Sequence, residues 1–355
     1  MLSFATEEIA LRSGETVSGL LTATFGNAVE LIVAAIALID GKVTICQTSL
    51  IGSILSNLLL VLGFCFFFGG LRHSEQQFNQ TVAQTAASML ALAAASIIIP
   101  TVFSAANKTP TSNFTDLSRG TAAILLMVYG AYLAFQLKTH QQIFAERSQK
   151  APAEPWGNRS PDLNTSQGLM VPDSLVSNGI SMTSILFNEP QEEEEEEEET
   201  PQLNIFCSID AITKNGTLSQ EFVSLILLPI VGNAAEHATA VTVAIKDKMD
   251  LAIGVAVGSS IQVALFLIPL VVVIGWGMGN DEMNLSFDNF QVAVMFVAVL
   301  LANYVIADGK SHWFNDWLLI CLYAIIAVCA FYKFLLISIA SLRRDQNEVE
   351  KITRK

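Results

Sequence analysis

Charge is scarce in this chain. Only 15% of its 355 residues are Asp, Glu, Lys or Arg, where a soluble domain carries about a quarter. With 52% hydrophobic residues and a mean hydropathy of +0.49, that scarcity excludes a disordered protein and argues against a soluble enzyme. Paired cysteines are lacking too. Cys46, Cys65, Cys207, Cys321 and Cys329 form no CxxC pair, and four of them sit in apolar runs, which gives neither a disulfide framework nor a zinc site. No basic patch interleaves with aromatics, so nucleic acid is not an expected partner. A broad acidic field is also missing. The net charge is −14, but Glu192–Glu199 supply eight of those charges, and −14 + 8 leaves −6. The first 16 residues lack the basic start and compact apolar core of a cleavable signal. Leu2–Leu11 reads as the end of a longer segment.

Long hydrophobic runs are what the chain does have. A helix needs about 20 apolar residues to cross a bilayer. That ruler picks out eight stretches, roughly 17–39, 46–69, 82–106, 120–137, 222–245, 251–275, 288–307 and 316–340. The second, third, fourth, sixth and seventh have no Asp, Glu, Lys or Arg in their cores, and polar or turn residues such as Asp40-Gly41-Lys42 bound them. They are too long and too many for the buried helices of a soluble fold. The expectation is an all-α membrane protein with about eight spans.

Between the fourth and fifth stretches lies a segment rich in Ser, Pro, Asn and Gln that also holds the eight-glutamate run. It cannot bury enough apolar surface to fold alone. The run reads as a solvated charged segment, with a weak regulatory cation site as the alternative. The organisation expected is a first membrane repeat over 1–137, a linker over 138–221, a second membrane repeat over 222–342 and a polar tail over 343–355.

The halves repeat one another. Gly26-Asn27-Ala28-Val29-Glu30 in the first matches Gly232-Asn233-Ala234-Ala235-Glu236 in the second, where His237 follows. The offset is 232 − 26 = 206, and it carries Gly52-Ser53 onto Gly258-Ser259 and Gly69 onto Gly275 without a gap. One GNxxE is a weak signal. Two copies inside apolar spans, each followed at the same distance by Gly-Ser in the next span, form a strong one. Duplicated hydrophobic halves mark many secondary transporters, whose substrate site lies where the repeats meet.

Glu30 is the only ionisable residue in the core of its span, and Glu236 and His237 are the only ones in theirs. Ionised groups in hydrocarbon are costly, so they should face a protein interior or a water-filled cavity. Asn27 and Glu30 are three apart and share a helix face, as do Asn233 and Glu236. Ser53, Ser259 and Gln262 in the neighbouring spans add further oxygens. An all-oxygen set with two negative charges suits a hard cation such as Ca²⁺, whereas Zn or Cu would favour thiolate and imidazole clusters. The motif glycines let helices approach closely or break. Bland roles stand beside these: the serines as helix-packing residues, the asparagines as interhelical hydrogen-bonders, His237 as a buried neutral imidazole.

Two carboxylates facing one cavity repel each other, and one divalent cation or protons can neutralise them. A site that is neutral in both states can cross by alternating access, while the empty charged site is penalised. That logic describes a cation/proton antiporter, and His237, with an intrinsic pKa near neutrality, fits a proton-coupled role. A Na⁺-coupled Ca²⁺ exchanger and a non-transporting membrane protein are the competing readings. An intramembrane enzyme would need an Asp pair, a Ser/His pair in register or HExxH in a span, and none is visible. Ca²⁺ and H⁺ are expected only as transported ions, with no cofactor.

GNAVE followed by GSILSN, and GNAAEH followed by GSSIQ, resemble the Ca²⁺/H⁺ exchanger (CAX) family of the cation/Ca²⁺ exchanger superfamily, most of all its fungal vacuolar members. The resemblance covers nearly the whole chain outside the linker. It implies inverted repeats in a vacuolar membrane, with Glu30 and Glu236 binding Ca²⁺ and exchanging protons. It places His237 beside them and Asn27, Asn233, Ser53, Ser259 and Gln262 along the cavity. It also makes Glu192–Glu199 a cytosolic acidic helix and Glu7 a guard of the cytosolic path. Similar exchangers have eleven spans. Against that pattern the opening helix of the first repeat survives only as Leu2–Arg12 and that of the second only as Leu203–Thr213. The expectation is a truncated chain, inactive as it stands, that still keeps the inverted arrangement around the two glutamates.

Overall fold

Wherever they are described, all eight apolar stretches fall on helix. The structure, a computed structural model, describes residues 27–72, 76–107, 111–140, 219–311, 314 and 317–333, and the backbone alone at 107, 111–113, 235 and 311. Helix α1 spans Ala28–Ile39 and α2 spans Val43–Arg72. Then come α3, Gln80–Asn107, and α4, Thr111–Ala134, which a π turn over Phe135–Thr139 extends. After the linker follow α5, Gln220–Gly232, α6, Ala234–Ile245, and α7, Met249–Gly277. The last two are α8, Asn289–Ile306, and α9, Trp317–Lys333. The only strands among the described residues are β1, Gln76–Gln77, and β2, Lys310–Ser311, a two-residue antiparallel pair that apolar periodicity could not announce.

By length and apolarity five helices can cross a membrane, or six if the bent pair α5–α6 is one span; α1 and α9 are shorter apolar helices. Their expected extensions, 17–26 and 334–340, lie outside the described residues. So do Glu7, Leu2–Arg12, Glu192–Glu199 and Leu203–Thr213. The fourth expected span starts at 120, yet α4 begins nine residues earlier. The apolar ruler stopped at Asp116 and Arg119, but a helix can carry charges that find partners. Arg119 pairs with Asp116 one turn away at 3.2 Å and with Asp281 at 2.7 Å.

The 206-residue offset is written into the backbone. α1 and α6 both have 12 residues. Two residues past the end of each comes a residue with positive φ, Gly41 at 70° and Asp247 at 59°, which closes the helix with paired returning bonds. In the first copy Lys42 N donates to Ala37 O at 2.8 Å and Gly41 N to Leu38 O at 3.1 Å. In the second, Lys248 N donates to Val243 O and Asp247 N to Ala244 O, both at 3.0 Å. Asp tolerates this left-handed conformation better than most residues with a Cβ. One turn past each motif serine the helix loosens into a π turn, over Ser56–Val61 and Val263–Leu267.

The most buried helices are α2 and α7, with 83% and 67% of their apolar windows inside the bundle, against 22% for α4 and 33% for α3. Around this centre, Ile99, Phe103, Ile124, Met127 and Leu300 are bare. Apolar surface of that extent on hydrogen-bonded helices belongs in a bilayer. This is an all-α membrane fold.

The ends of α2 and α7 are interlocked. Near the start of α2, Gln47 Nε2 donates to Asn284 O at 2.8 Å and Ser286 O at 3.4 Å, just beyond the end of α7. Beyond the end of α2, Gln76 Nε2 donates to Ala244 O and Asp247 Oδ1, both at 3.0 Å, just before α7 starts. The two helices therefore run antiparallel. Two faces follow. The Asp288 face holds the Asp40–Lys42 turn, Arg119, Glu221 and Lys333, the last bridging Asp288 at 2.9 Å and Glu221 at 3.3 Å. The Asp250 face holds Arg72, His140, the Lys246–Lys248 turn and Lys310; here Asn79 N donates to Asp250 Oδ1 at 2.6 Å. Trp276 and Tyr332 are exposed near the first face, Tyr304 and Trp317 near the second, as interfacial aromatics are at a membrane's two boundaries.

Close approach explains a second paired feature. A Cβ at Gly69 would fall on the Gln76 side chain, and one at Gly275 would lie 2.8 Å from Met283 Cβ. Each glycine lets the returning loop fold back on its helix. The loop after α7 buries Met283, Leu285 and Phe287. Its backbone is satisfied from neighbouring helices: Leu285 N donates to Ser118 Oγ, Phe287 N to Thr101 Oγ1, and Thr101 Oγ1 to Leu285 O. A buried loop needs such partners.

Candidate functional site

Both motif helices begin at the motif itself. Asn27 precedes α1 and Asn233 precedes α6, with φ of −101° and −104°. Asparagine at this position normally caps its own helix by accepting from the first turn. Neither does so here. The side chains reach across instead. Asn233 Nδ2 donates to Ser53 Oγ at 3.0 Å. Asn27 Oδ1 accepts from Ser259 Oγ at 2.7 Å, and its Nδ2 lies 3.5 Å from Ser259 O.

The serines continue the chain of contacts. Ser53 Oγ donates to Glu30 Oε1 at 3.3 Å and Ser259 Oγ to Glu236 Oε2 at 3.5 Å. Four helices thus close a ring. Glu30 on α1 meets Ser53 on α2, which meets Asn233 at the start of α6. Glu236 on α6 meets Ser259 on α7, which meets Asn27 at the start of α1. Each glutamate lies in the first turn of its helix, where the positive end of the helix dipole favours negative charge.

On the other side of Asn233 the chain bends by 57° between Gln220–Gly232 and Glu236–Ile245. Pro229 lies in the last turns before the bend, just after a π turn over Val223–Leu227. Proline has no N–H to offer four residues back, so Leu225 O loses its regular helical partner. Gly52 of α2 packs onto that carbonyl; a Cβ there would fall on Leu225 O and on Pro229 Cγ. The sequence expectation of glycines that permit close approach and a local break holds at this junction. Gly26 and the chain before Asn27 lie outside the described residues.

A cavity of about 20 Å³ opens beside Glu30, lined also by Val33, Ser49, Leu50, Ser53, Leu228, Pro229, Gly232 and Asn233. That is room for about one water-sized particle. Among the described residues no three His, Cys, Asp or Glu gather as a metal cluster. The donors are two carboxylates and neutral oxygens.

Six of the expected site residues are therefore joined: Asn27, Glu30, Ser53, Asn233, Glu236 and Ser259. Two are placed nearby without joining. Gln262 is buried one turn past Ser259, its Nε2 without a partner, and His237 follows Glu236 with a buried Nε2 also unpartnered. Glu7 lies outside the described residues. Ser49 was missed, although it stands one helical turn before Ser53 on the same face, a spacing that could have found it.

Residues 1–138 and 205–332 match the family described as sodium/calcium exchanger protein. A vacuolar calcium ion transporter of Schizosaccharomyces pombe is 42% identical over 336 residues, which cover 94% of this chain and 76% of that protein. A Ca²⁺/H⁺ antiporter of Aphanothece halophytica is 39% identical over 339 residues, 92% of this chain and 85% of the relative. Among solved structures, the Ca²⁺/H⁺ antiporter protein YfkE superposes with a TM-score of 0.67 at 30% identity, over 93% of this chain and 87% of that one.

Proposed function

The chain belongs to the sodium/calcium exchanger family, and on that footing we propose that it is a secondary transporter exchanging Ca²⁺ for H⁺ across a vacuolar membrane. Relatives named as vacuolar calcium transporters and Ca²⁺/H⁺ antiporters support this reading. It moves ions and transforms no substrate.

The layout we propose is two inverted repeats, 1–137 and 222–342, about eight spans in all, joined by an acidic linker over 138–221 that leaves His140 on the cytosolic side and must reach the opposite face by Ser219, and followed by a polar tail over 343–355. The antiparallel course of α2 and α7 supports it, as do His140 and Ser219, which lie on opposite faces. The Asp250 face carries Arg72, Lys138, Lys246, Lys248 and Lys310; the Asp288 face carries Lys42, Arg119 and Lys333. An excess of Lys and Arg marks a cytosolic side, so the Asp288 face is assigned to the lumen.

In this reading Glu30 and Glu236 hold Ca²⁺ with oxygens of Asn27, Asn233, Ser53, Ser259 and Gln262. Protons replace the ion on the same carboxylates, so the loaded site crosses neutral either way. His237 serves proton coupling, and Glu7 guards the cytosolic path. The ring of reciprocal hydrogen bonds between the repeats carries the proposal: it links both carboxylates to the movement of both halves. The test is proton-driven Ca²⁺ uptake into vesicles holding this chain, and uptake would also overturn the expectation that the chain is inactive as it stands. Glu30→Gln and Glu236→Gln keep shape and remove charge, and each should abolish uptake; near-normal uptake in either would sink the site. A Na⁺-coupled exchanger is the second reading, favoured by the family's own description. Uptake that needs a Na⁺ gradient and ignores a proton gradient would select it.

A further inference from the structure

The cavity beside Glu30 is not centred on the ring but leans to one side. Along α1, which runs from the middle of the bundle toward the Asp40–Lys42 turn, Val33 lies beyond Glu30. Along α2, which starts at that turn, Ser49 lies before Ser53, about 6 Å nearer the Asp288 face at 1.5 Å per residue. Along α5, Leu228 and Pro229 precede Asn233 and again lie toward that face. All three helices thus extend the cavity in one direction.

On that side the lining beyond the ring's own oxygens is apolar, Val33, Leu50 and Leu228, with one further side-chain oxygen among them, Ser49 Oγ. Ser49 donates its proton to Cys46 O at 3.0 Å, which leaves its oxygen lone pairs for the cavity. The feature is not repeated. Carrying Ser49 forward by 206 gives Val255, and carrying Val33 forward gives Thr239.

We propose that Ser49 is an additional ion-binding residue, the first oxygen that a cation meets between the Asp288 face and Glu30, peculiar to the first repeat. The inference rests on the exchange reading above. A partly dehydrated divalent cation passing Val33, Leu50 and Leu228 finds no oxygen there to replace its water. The Ser49 hydroxyl shortens that gap to one helical turn. The second repeat has valine at the matching place and carries its extra hydroxyl, Thr239, on the motif helix instead, so the two sides of the transporter differ in which helix supplies that step.

Three substitutions test this in vesicles holding the full chain. Ser49→Val keeps the branched shape of threonine without oxygen; it should raise the Ca²⁺ KM for ions offered at the Asp288 face about tenfold, the loss of one charge-assisted contact, with the maximal rate held. Ser49→Thr restores the hydroxyl and should restore KM. Ser49→Cys offers a soft ligand beside a carboxylate; it should gain Cd²⁺ block when Cd²⁺ is added at the Asp288 face, beyond that of the unsubstituted chain. A fall in maximal rate with KM unchanged, equal damage from threonine, or block gained from the Asp250 face would each overturn the proposal. If the unsubstituted chain moves no Ca²⁺ against a proton gradient, the exchange reading fails with it; if it does and Glu30→Gln stops it, the Ser49 series alone decides.

Discussion

The junctions at Asn27–Glu30 and Asn233–Glu236 are copies in backbone and in bonding, yet their surroundings are not copies. Each asparagine declines its capping role and bonds the other repeat's serine, and each serine bonds its own repeat's glutamate. Beyond that shared core, the Glu30 side has Ser49 and Val33 where the Glu236 side has Val255 and Thr239. On the exchange reading proposed above, the shared part serves to hold an ion, which either half must do equally, and the unshared part serves delivery, which differs between a cytosol and a lumen.

The comparison can be broken at its centre first. Glu30→Gln and Glu236→Gln should have the largest effect, and the same one: loss of proton-driven Ca²⁺ uptake. Survival of uptake in one variant alone would end the equivalence of the two junctions. Next in size is Gly52→Val. The new side chain would meet Leu225 O and Pro229, neither of which can swing away. We expect a loss of about 1–3 kcal/mol, read as lower thermal stability of the purified protein in detergent.

Smaller effects sharpen the symmetry. Asn27→Ala and Asn233→Ala each remove a contact between the repeats, and each should cost about 0.6–1.7 kcal/mol, the range for hydrogen bonds between membrane helices. Comparable melting shifts would support a reciprocal ring; a large shift in only one would show that one link dominates. Smallest are the outer braces. Gln47→Ala and Gln76→Ala each remove side-chain bonds that tie a loop to the opposite repeat, and each should cost about 1 kcal/mol. Faster amide exchange at 284–286 in the first, and at 244–247 in the second, is the expected readout.

Much of this was legible in advance because hydrocarbon is a severe solvent. It forces long apolar helices, so the eight stretches announce themselves, and it makes each stray carboxylate expensive, so Glu30 and Glu236 stand out. The Gly-Ser pairs follow from the constant offset. Less legible was anything set by a partner distant in the chain. Charge at Asp116 and Arg119 hid the start of α4, since nothing local reveals Asp281 as the salt-bridge partner. Nothing local marks the loop through Met283, Leu285 and Phe287 as buried, because Thr101 and Ser118, which satisfy its backbone, sit in other spans. Gln262 was read as an oxygen donor like the rest, yet it stands apart from the ring with an unpartnered nitrogen.

By itself the sequence determined the membrane, the helices, the duplication and which residue types stand at the motif positions, since these depend on transfer of side chains to hydrocarbon and on spacing along one helix. Tertiary structure alone decided that Asn27 and Asn233 would abandon their own helix ends for serines 232 and 180 residues away. It also decided that α2 and α7 would run in opposite senses and that the cavity would lean toward Ser49. A hydrogen bond across that distance exists only once four helices have packed, and nothing local distinguishes an asparagine that caps from one that crosses.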